Sequence, residues 1–173
     1  MSDNIILLGM PGCGKTTVGK MLAQKLNFEF VDTDSLIEAR EGLVISEIFK
    51  LRGEEYFRDC ETSIIQSLSK IHNSVISVGG GAYQKQINRT ILKGLGVNFY
   101  LYCSPMEIYI RIKGDSSRPL LNSDNPLEKL EDLYKKRHKD FELSDYIIDT
   151  VNISQYDIVE HILRIKNGTS FGN

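Results

Sequence analysis

A segment near the N-terminus has the residue types and spacing of a phosphate-binding loop. Residues 9–16 read Gly-Met-Pro-Gly-Cys-Gly-Lys-Thr, which matches the pattern G-x-x-x-x-G-K-[ST]. In such a loop the backbone N–H groups surround phosphate oxygens, Lys15 reaches the terminal phosphates, and the Thr16 hydroxyl ligates a magnesium ion. The pattern therefore predicts a site for a nucleoside triphosphate. Its expected contact residues are Gly12, Cys13, Gly14, Lys15, Thr16 and Thr17.

Two carboxylates follow the second apolar run of the chain. Asp32 and Asp34 come directly after the run from Phe28 to Val31. If the extended backbone continues through both residues, their two-residue spacing places both carboxylates on one side, toward the phosphate loop. One carboxylate could then interact with magnesium and the other with a hydroxyl group. Helix capping by Asp34 is the alternative, because a helical pattern begins at Leu36.

A helix expected from about Gly53 to Ile71 has a charged residue in its apolar stripe. The stripe consists of Phe57, Glu61, Ile64, Leu68 and Ile71. Glu61 is therefore turned inward and needs a partner. Arg58, three residues earlier, can pair with it and keep donors free for a substrate carboxylate. A purely structural ion pair is equally compatible with the pattern.

A second helix, starting near Leu127, has an arginine in the same kind of position. Its inward stripe consists of Leu127, Leu130, Tyr134, Arg137 and Phe141. An inward guanidinium is costly unless it is paired, so we expect an internal carboxylate or a bound anionic ligand beside Arg137. The triplet Gly79, Gly80 and Gly81, directly after another apolar run, offers bare backbone for close ligand approach.

The elements that must position these residues alternate between strands and helices. Apolar runs with strand character cover Ile5 to Leu8, Phe28 to Val31, Val75 to Val78, Val97 to Tyr102 and Tyr146 to Ile148. Helical patterns separate them, and the first helix starts at the phosphate loop with its positive end toward the phosphates. This alternation predicts an α/β fold with a parallel sheet of about five strands, with ligands at the carboxyl ends of the strands.

Composition limits the alternatives. The 173 residues contain no linker-like segment, so we expect one domain. With 21 basic and 23 acidic residues the net charge is −2, which gives no net attraction to nucleic acid or anionic membranes and leaves only local basic clusters open. There is no apolar stretch of membrane-spanning length and no secretory signal pattern, so a cytoplasmic protein is expected. The three cysteines are widely spaced and are expected to be reduced thiols without a metal.

Several motifs occur in a fixed order along the chain. They are the phosphate loop, Asp32-Thr33-Asp34, the G-E-x-x-F-R-x-x-E segment at 53–61, Gly79-Gly80-Gly81, Arg118-Pro119-Leu120-Leu121 and Arg137. Together they resemble the shikimate kinase family over nearly the whole chain. The resemblance implies a P-loop nucleoside-monophosphate-kinase-like fold, with a five-stranded parallel sheet flanked by helices, a substrate-binding helical segment and a mobile lid.

The resemblance also divides the chain into parts. It implies a single domain with a core of residues 1–31, 74–112 and 127–173, a substrate-binding segment of about 32–73, and a lid of about 113–126. The partners that it implies are ATP, Mg²⁺ and the small molecule shikimate, without nucleic acid or membrane. A monomer is the default expectation.

The implied reaction is transfer of the ATP γ-phosphoryl group to the 3-hydroxyl of shikimate, in the route to aromatic amino acids. The products are shikimate 3-phosphate and ADP. Lys15 would hold the transferring group and Asp32 would orient magnesium through water. Asp34 would accept a hydrogen bond from the attacking hydroxyl, as a base or through positioning alone. Arg118, on the lid, would reach the phosphates when the lid closes.

The other implied residues surround the two substrates. Arg58 and Arg137 would clamp the shikimate carboxylate, and Phe49 and Phe57 would form walls of the pocket. The glycine triplet would pack against the ring and its hydroxyls. Arg111 is similar to the family's adenine-stacking arginine.

Two departures from the family pattern remain. The family's R-x-P-x-Y corresponds to residues 137–141, which lack the Pro and have Phe141 in place of Tyr. Whether this segment keeps the rigidity given by the Pro, and the hydrogen bond given by the Tyr hydroxyl, is an open question at this point. The loop at 150–155 lacks an arginine often found there, so Asn152 or Ser154 are the candidate adenine contacts. A kinase of another small metabolite, such as gluconate, and a non-catalytic nucleotide switch are the alternative functions.

Overall fold

Five parallel strands form the centre of the protein. The computed structural model describes residues 3–113 and 125–168. The strands are β1 (Asn4–Leu8), β2 (Glu29–Asp32), β3 (Ser74–Ser77), β4 (Gly96–Tyr102) and β5 (Tyr146–Asp149). They pair in the order β2-β3-β1-β4-β5, and Ile5 of β1 lies between Val75 of β3 and Val97 of β4. The expected five-stranded parallel sheet is confirmed.

Helices connect the strands. They are α1 (Lys15–Leu26), α2 (Thr33–Glu41), α3 (Ile45–Ser67), α4 (Gln86–Leu95), α5 (Pro105–Ile112), α6 (Pro126–Phe141) and α7 (Gln155–Lys166). Short 3₁₀ turns cover Leu68–Lys70 and Ala82–Gln84. Within the described ranges, none of these helices is long and apolar enough to cross a membrane.

The buried side chains form two separate clusters. The larger surrounds the sheet, and β1 and β3 are buried along their whole length because helices cover both faces. The smaller cluster lies between α2 and α3 and consists of Ile37, Ile48, Phe57, Cys60 and Ile64. The segment around α2 and α3 thus has a hydrophobic core of its own, beside the sheet rather than within it.

Helix α3 differs from its expected form. It begins at Ile45 rather than near Gly53, and Gly53 interrupts it with φ +84° and ψ 171°. Positive φ is accessible to glycine at little steric cost, so the chain changes direction there and resumes a helix. Ile45, Ile48 and Phe49 already have helical spacing, so the prediction missed the first half because it placed the start of the helix at Gly53, which is an interruption within it.

Candidate active site

The phosphate loop connects the end of β1 to the first turn of α1. Gly12 and Gly14 have φ values of +82° and +100°, which a side chain would strain. The backbone can therefore curl around the N-terminal end of α1, where the helix dipole attracts anions. Lys15 Nζ donates to the carbonyl oxygens of Gly9 (2.9 Å) and Met10 (3.1 Å), which holds the ammonium group beside the loop.

Asp32 joins the phosphate loop to α2. Its Oδ1 accepts hydrogen bonds from the N–H groups of Asp34 (3.1 Å) and Ser35 (3.4 Å), and Thr16 Oγ1 donates to its Oδ2 (3.4 Å). The expected extended geometry through Asp34 is wrong, because β2 ends at Asp32 and α2 begins at Thr33. The capping residue is Asp32, not Asp34. Both carboxylates nevertheless line one cavity with the phosphate loop.

Asp34 lies in the first turn of α2 in an environment that disfavours its charge. Its pKa is raised from 3.8 to about 6, mainly by burial and then by the Asp32 charge, against the opposing charge of Lys15. Among the described residues, no group donates a hydrogen bond to its buried Oδ1. A carboxylate with one unsatisfied oxygen is suited to accept a hydrogen bond from a ligand hydroxyl.

The glycine triplet after β3 is closely covered by side chains of the candidate site. A Cβ added to Gly79 would lie 2.5 Å from Asp34 Oδ1 and 2.8 Å from Glu61 Oε1. One added to Gly80 would lie 3.3 Å from Arg137 Nη1, and one added to Gly81 would collide with the Arg58 guanidinium. None of the three has a positive φ. Glycine thus allows close approach of acceptor-site side chains at Gly79 and Gly81, and of both Pro11 (3.0 Å) and Arg137 at Gly80.

Arg58 is held by two carboxylates of α3. Its Nη1 lies 2.6 Å from Glu61 Oε2, and its Nη2 lies 3.0 Å from Glu54 Oε1. The inward orientation expected for Glu61 is observed, since its side chain is 2% exposed. Burial raises the pKa of Glu61, and the Arg58 charge opposes that rise. Nε donates to Glu54 as well, so two of the five guanidinium N–H groups lie outside these bonds.

Arg137 of α6 has no such partner. In residues 3–113 and 125–168 no hydrogen bond or ion pair holds its guanidinium, although the side chain is partly buried. Burial, followed by the positive charge of Arg58, lowers its pKa. Arginine nevertheless stays charged in proteins, so Arg137 is a partly buried cation with no carboxylate bonded to it among the described residues. This arrangement favours a bound anion.

One cavity of about 630 Å³ lies at the phosphate loop, and Arg58, Arg137, Gly79 and Gly81 are not among the residues that line it. Its wall includes residues 11–18, Asp32, Asp34, Gly80, Arg111 and residues 153–155. The volume is in the range of small-molecule sites, and the polar groups converge at the carboxyl ends of β1, β2 and β3. The cavity thus contains a phosphate-binding end, and Asp34 and Gly80 are the predicted acceptor-site residues on its wall.

Comparison with known proteins identifies the family. A family model described as shikimate kinase matches residues 11–166. The chain belongs to the shikimate kinase family. A shikimate kinase of Thermodesulfovibrio yellowstonii is 41% identical over 169 residues, which cover 95% of this chain and 98% of that protein.

Solved structures agree with the family and show the fold. A shikimate kinase from Acinetobacter baumannii in complex with shikimate has a TM-score of 0.90 and 38% identity, covering 99% of this chain and 97% of that chain. A gluconokinase from Sinorhizobium meliloti has a TM-score of 0.64 at 16% identity, covering 96% and 95%, and shows similarity of fold alone. The P-loop nucleoside-monophosphate-kinase-like fold expected for a shikimate kinase is confirmed.

Arg111, the arginine that resembles the family's adenine-stacking residue, is tied to protein groups on both sides of the cavity. Its Nη2 donates to the Thr150 carbonyl (2.7 Å), Nη1 to the Cys13 carbonyl (3.4 Å), and Nε to Glu107 (3.2 Å). The side chain therefore connects the phosphate loop with the loop before α7. Stacking would use the guanidinium face, which these in-plane bonds do not occupy.

The loop at 150–155 contributes residues that sequence reasoning found only in part. Ser154 lines the cavity but Asn152 does not. The Ser154 hydroxyl caps α7 by accepting from the Asp157 N–H at 3.1 Å. Ile153 and Gln155 also line the cavity and were missed, because nothing in the local sequence distinguishes a cavity wall from an ordinary helix start.

Two aromatic residues and the lid complete the predicted site. The rings of Phe49 and Phe57 lie 4.7 Å apart between their centroids. Phe57 is buried in the smaller cluster, whereas Phe49 is 36% exposed, so Phe49 offers the freer face. Arg118 and most of the expected lid lie outside the described residues.

Phe141, which replaces the family tyrosine, is a core residue. It is 1% exposed and its ring stacks on Tyr100 at 5.0 Å and on Tyr83 at 6.4 Å. The ring keeps the packing that anchors the end of α6. On the same helix, Arg137 Nη1 lies 3.3 Å from the position of a Cβ added to Gly80.

Proposed function

We propose that this chain transfers the γ-phosphoryl group of ATP to the 3-hydroxyl of shikimate, giving shikimate 3-phosphate and ADP. The observation that carries the proposal is the placement of Asp34, Arg58 and Arg137 around one glycine triplet, next to the phosphate loop. A hydroxyl beside Asp34 and a carboxylate between two arginines are the two functional groups that such a site selects. Family membership supports the same substrate and ATP as the donor.

The acceptor is oriented before the phosphoryl group is transferred. Arg58 and Arg137 hold its carboxylate, and this places a ring hydroxyl at Asp34. Asp34 accepts a hydrogen bond from that hydroxyl and aligns its oxygen with the γ-phosphorus. The transition state of phosphoryl transfer is loose, so alignment contributes more than full proton removal in advance.

The donor is held by the phosphate loop. The loop N–H groups and the N-terminal end of α1 surround the phosphates, and Lys15 exchanges its loop carbonyl partners for phosphate oxygens. Arg111 and residues 153–155 form the nucleoside end of the cavity, and Arg118 would supply a further cation from the lid. These charges lie where negative charge is redistributed during transfer.

Thr16 and Asp32 fit a magnesium ion. Their oxygens lie 3.4 Å apart at the mouth of the phosphate loop, and hydroxyl and carboxylate oxygens are the ligands that Mg²⁺ prefers. When bound with the nucleotide, the ion neutralises charge on the phosphate oxygens. The family resemblance implies that Asp32 acts through a water molecule, and its Oδ2 is the oxygen left for this contact because Oδ1 caps α2.

The division into core, substrate-binding segment and lid is part of this proposal. The separate hydrophobic cluster of α2 and α3 supports a substrate-binding segment of about 32–73 that can shift against the sheet. A cytoplasmic monomer without nucleic-acid or membrane partners stays a prediction of the sequence.

The proposal is tested by measuring ADP release from Mg-ATP with shikimate, with gluconate as a control acceptor and with no acceptor. We expect ADP release only when shikimate is the acceptor, and a product with the mass of shikimate monophosphate. The methyl ester of shikimate should show a KM at least about tenfold higher, since it lacks the charge that the two arginines hold. The proposal is refuted if shikimate causes no ADP release under conditions in which a control kinase is active.

A further inference from the structure

The glycine triplet is followed by a turn that fixes its position. In the 3₁₀ turn Ala82–Gln84, the Ala82 N–H donates to the Gly79 carbonyl at 3.1 Å and the Gln84 N–H donates to the Gly81 carbonyl at 3.2 Å. The triplet and the turn therefore form one hydrogen-bonded unit. A displacement of the turn moves Gly80 and Gly81, on which Arg137 and Arg58 lie.

Arg89 of α4 binds this turn and α6 at the same time. The two N–H groups of its Nη1 face three acceptors, so one is shared: the carbonyl oxygens of Tyr83 (2.8 Å) and Gln84 (2.7 Å) and Asp140 Oδ1 (3.0 Å). The Arg89 and Asp140 side chains are only 19% and 29% exposed. Partial burial strengthens such charge-assisted bonds relative to a surface ion pair.

Two further contacts connect the turn with α6. Gln84 Nε2 donates to the Lys136 carbonyl at 3.4 Å, and the Tyr83 ring stacks on Phe141 with centroids 6.4 Å apart. On α6, Lys136 lies one residue before Arg137, and Asp140 and Phe141 lie three and four residues after it. The guanidinium of Arg89 is the charged group at the centre of this contact.

We infer that Arg89 is a positioning residue for the acceptor site, which holds the glycine triplet and Arg137 in a fixed relation. The inference rests on the proposed function, because it assumes that Arg137 binds the acceptor carboxylate. Arg89 does not line the cavity and acts through the turn and through Asp140. Without it, α6 can shift relative to the triplet, and the spacing between Arg58 and Arg137 changes.

This role predicts an effect on one substrate only. Two-armed binding of a carboxylate tolerates displacements of only about 0.5 Å, so the acceptor site is sensitive to such a shift. The phosphate loop is built on β1 and α1, which Arg89 does not touch. Loss of Arg89 should therefore weaken shikimate binding and leave ATP binding unchanged.

The test compares Arg89→Ala, Arg89→Lys and Lys93→Ala in full steady-state kinetics. Lys93→Ala removes a positive charge from the exposed face of the same helix and should match the wild type. Arg89→Ala should raise the shikimate KM about tenfold, the effect of one charge-assisted bond, with the ATP KM changed less than about twofold. Arg89→Lys keeps the charge and should recover part of the loss.

A second set of variants shows whether Arg89 acts through Arg137. Arg137→Ala should raise the shikimate KM strongly, and adding Arg89→Ala to it should change that KM less than about twofold. A full tenfold further rise, or an equal rise in both KM values of Arg89→Ala, would overturn the inference. If Arg89→Ala does not fold, Asp140→Asn tests the same contact. It should raise the shikimate KM about threefold or more and leave the ATP KM unchanged.

The same experiment separates this inference from the proposed function. If the wild-type protein does not phosphorylate shikimate, the proposed function fails. If the wild type is active but Arg89→Ala has normal shikimate kinetics, only the positioning role fails.

Discussion

At the residue scale, opposing influences set the ionisation of the Asp34 carboxyl group. Burial and the Asp32 charge disfavour its ionised form, while Lys15 and Arg58 favour it, and the net effect is a pKa of about 6. The group is therefore ionised at neutral pH with only a small margin. Its placement makes it a stronger base than an ordinary aspartate, although it is still ionised at neutral pH, which suits a residue that accepts a hydrogen bond from a hydroxyl group.

The pH dependence of acceptor phosphorylation follows from this pKa. A protonated Asp34 cannot accept the acceptor's hydroxyl proton, so kcat/KM for shikimate should fall about tenfold per pH unit below about pH 6. Asp34→Asn should remove this dependence and lower kcat by roughly 10² or more. Asp59→Asn on α3 is the control, because the Asp59 side chain is 73% exposed. A flat wild-type profile down to pH 5 would contradict the assignment.

Stability should respond to the same substitution in the opposite direction. The pKa of Asp34 is higher in the folded protein than in the unfolded chain, so its contribution to stability is present below about pH 4 and is lost as pH rises through 6. Asp34→Asn should therefore raise Tm at pH 7.5 by a few degrees and have little effect near pH 4. Thermal denaturation at the two pH values measures this difference.

At the scale of the element, the interrupted helix α3 connects the small hydrophobic cluster to the acceptor site. Gly53 separates the half that carries Phe49 from the half that carries Arg58. Glu41 of α2 spans the interruption, since its Oε2 accepts from Arg52 Nη1 (2.9 Å) and from the Tyr56 hydroxyl (2.7 Å). The change of direction is thus held on both sides.

Two glycine substitutions separate backbone strain from steric crowding. A Cβ on Gly53 or on Gly94 of α4 would meet no atom within 4 Å, but only Gly53 has a positive φ. Gly53→Ala should destabilise the protein by about 1 kcal/mol or more and raise the shikimate KM, because Arg58 moves with the second half of α3. Gly94→Ala should stabilise by about 0.5–1 kcal/mol without a change in KM.

Denaturant unfolding and steady-state kinetics measure these outcomes. Equal stability changes for the two variants would show that the φ value at Gly53 carries no strain. A destabilised Gly53→Ala with a normal shikimate KM would show that Arg58 is positioned independently of the interruption.

At the scale of the whole molecule, the donor site rests on the larger hydrophobic cluster, whereas the acceptor site combines residues of both clusters. The phosphate loop rests on the sheet, while Arg58 and Asp34 belong to the α2–α3 segment. Thr16 and Asp32 connect the two parts through their hydrogen bond. Within the described part of the chain, no group of three or more His, Cys, Asp or Glu residues could hold a metal ion by itself.

Magnesium should therefore bind together with the nucleotide. EDTA alone should leave Tm unchanged, whereas Mg-ATP should raise Tm by several degrees and ATP with EDTA by much less. Turnover should stop in EDTA and return with excess Mg²⁺. In Thr16→Val, the rise in Tm caused by Mg-ATP should exceed that caused by ATP with EDTA by much less than in the wild type. A fall in Tm with EDTA in the absence of nucleotide would indicate a separate metal site.

Much of the fold and of the candidate site could be predicted without coordinates. The phosphate loop is a contiguous motif, and the buried parallel strands appear as short apolar runs, so local sequence is sufficient for both. The inward orientation of Glu61 followed from helical periodicity. The family resemblance supplied the roles expected for Phe49, Arg111 and Arg118, which periodicity alone does not give. The interpretation of Asp32 and Asp34 as one extended strand end was wrong, because a helix begins between them.

The sequence by itself determined the sheet, the phosphate loop and the type of chemistry. Only the tertiary structure decided why three glycines are adjacent, which carboxylate caps α2, and how Arg89 meets Asp140 across 51 residues of sequence. The physical reason is that burial, close approach and pKa depend on neighbours that are distant in the chain. A pattern of adjacent residues shows which side chains are available. Packing sets the distances between them and, through burial and neighbouring charges, their pKa values.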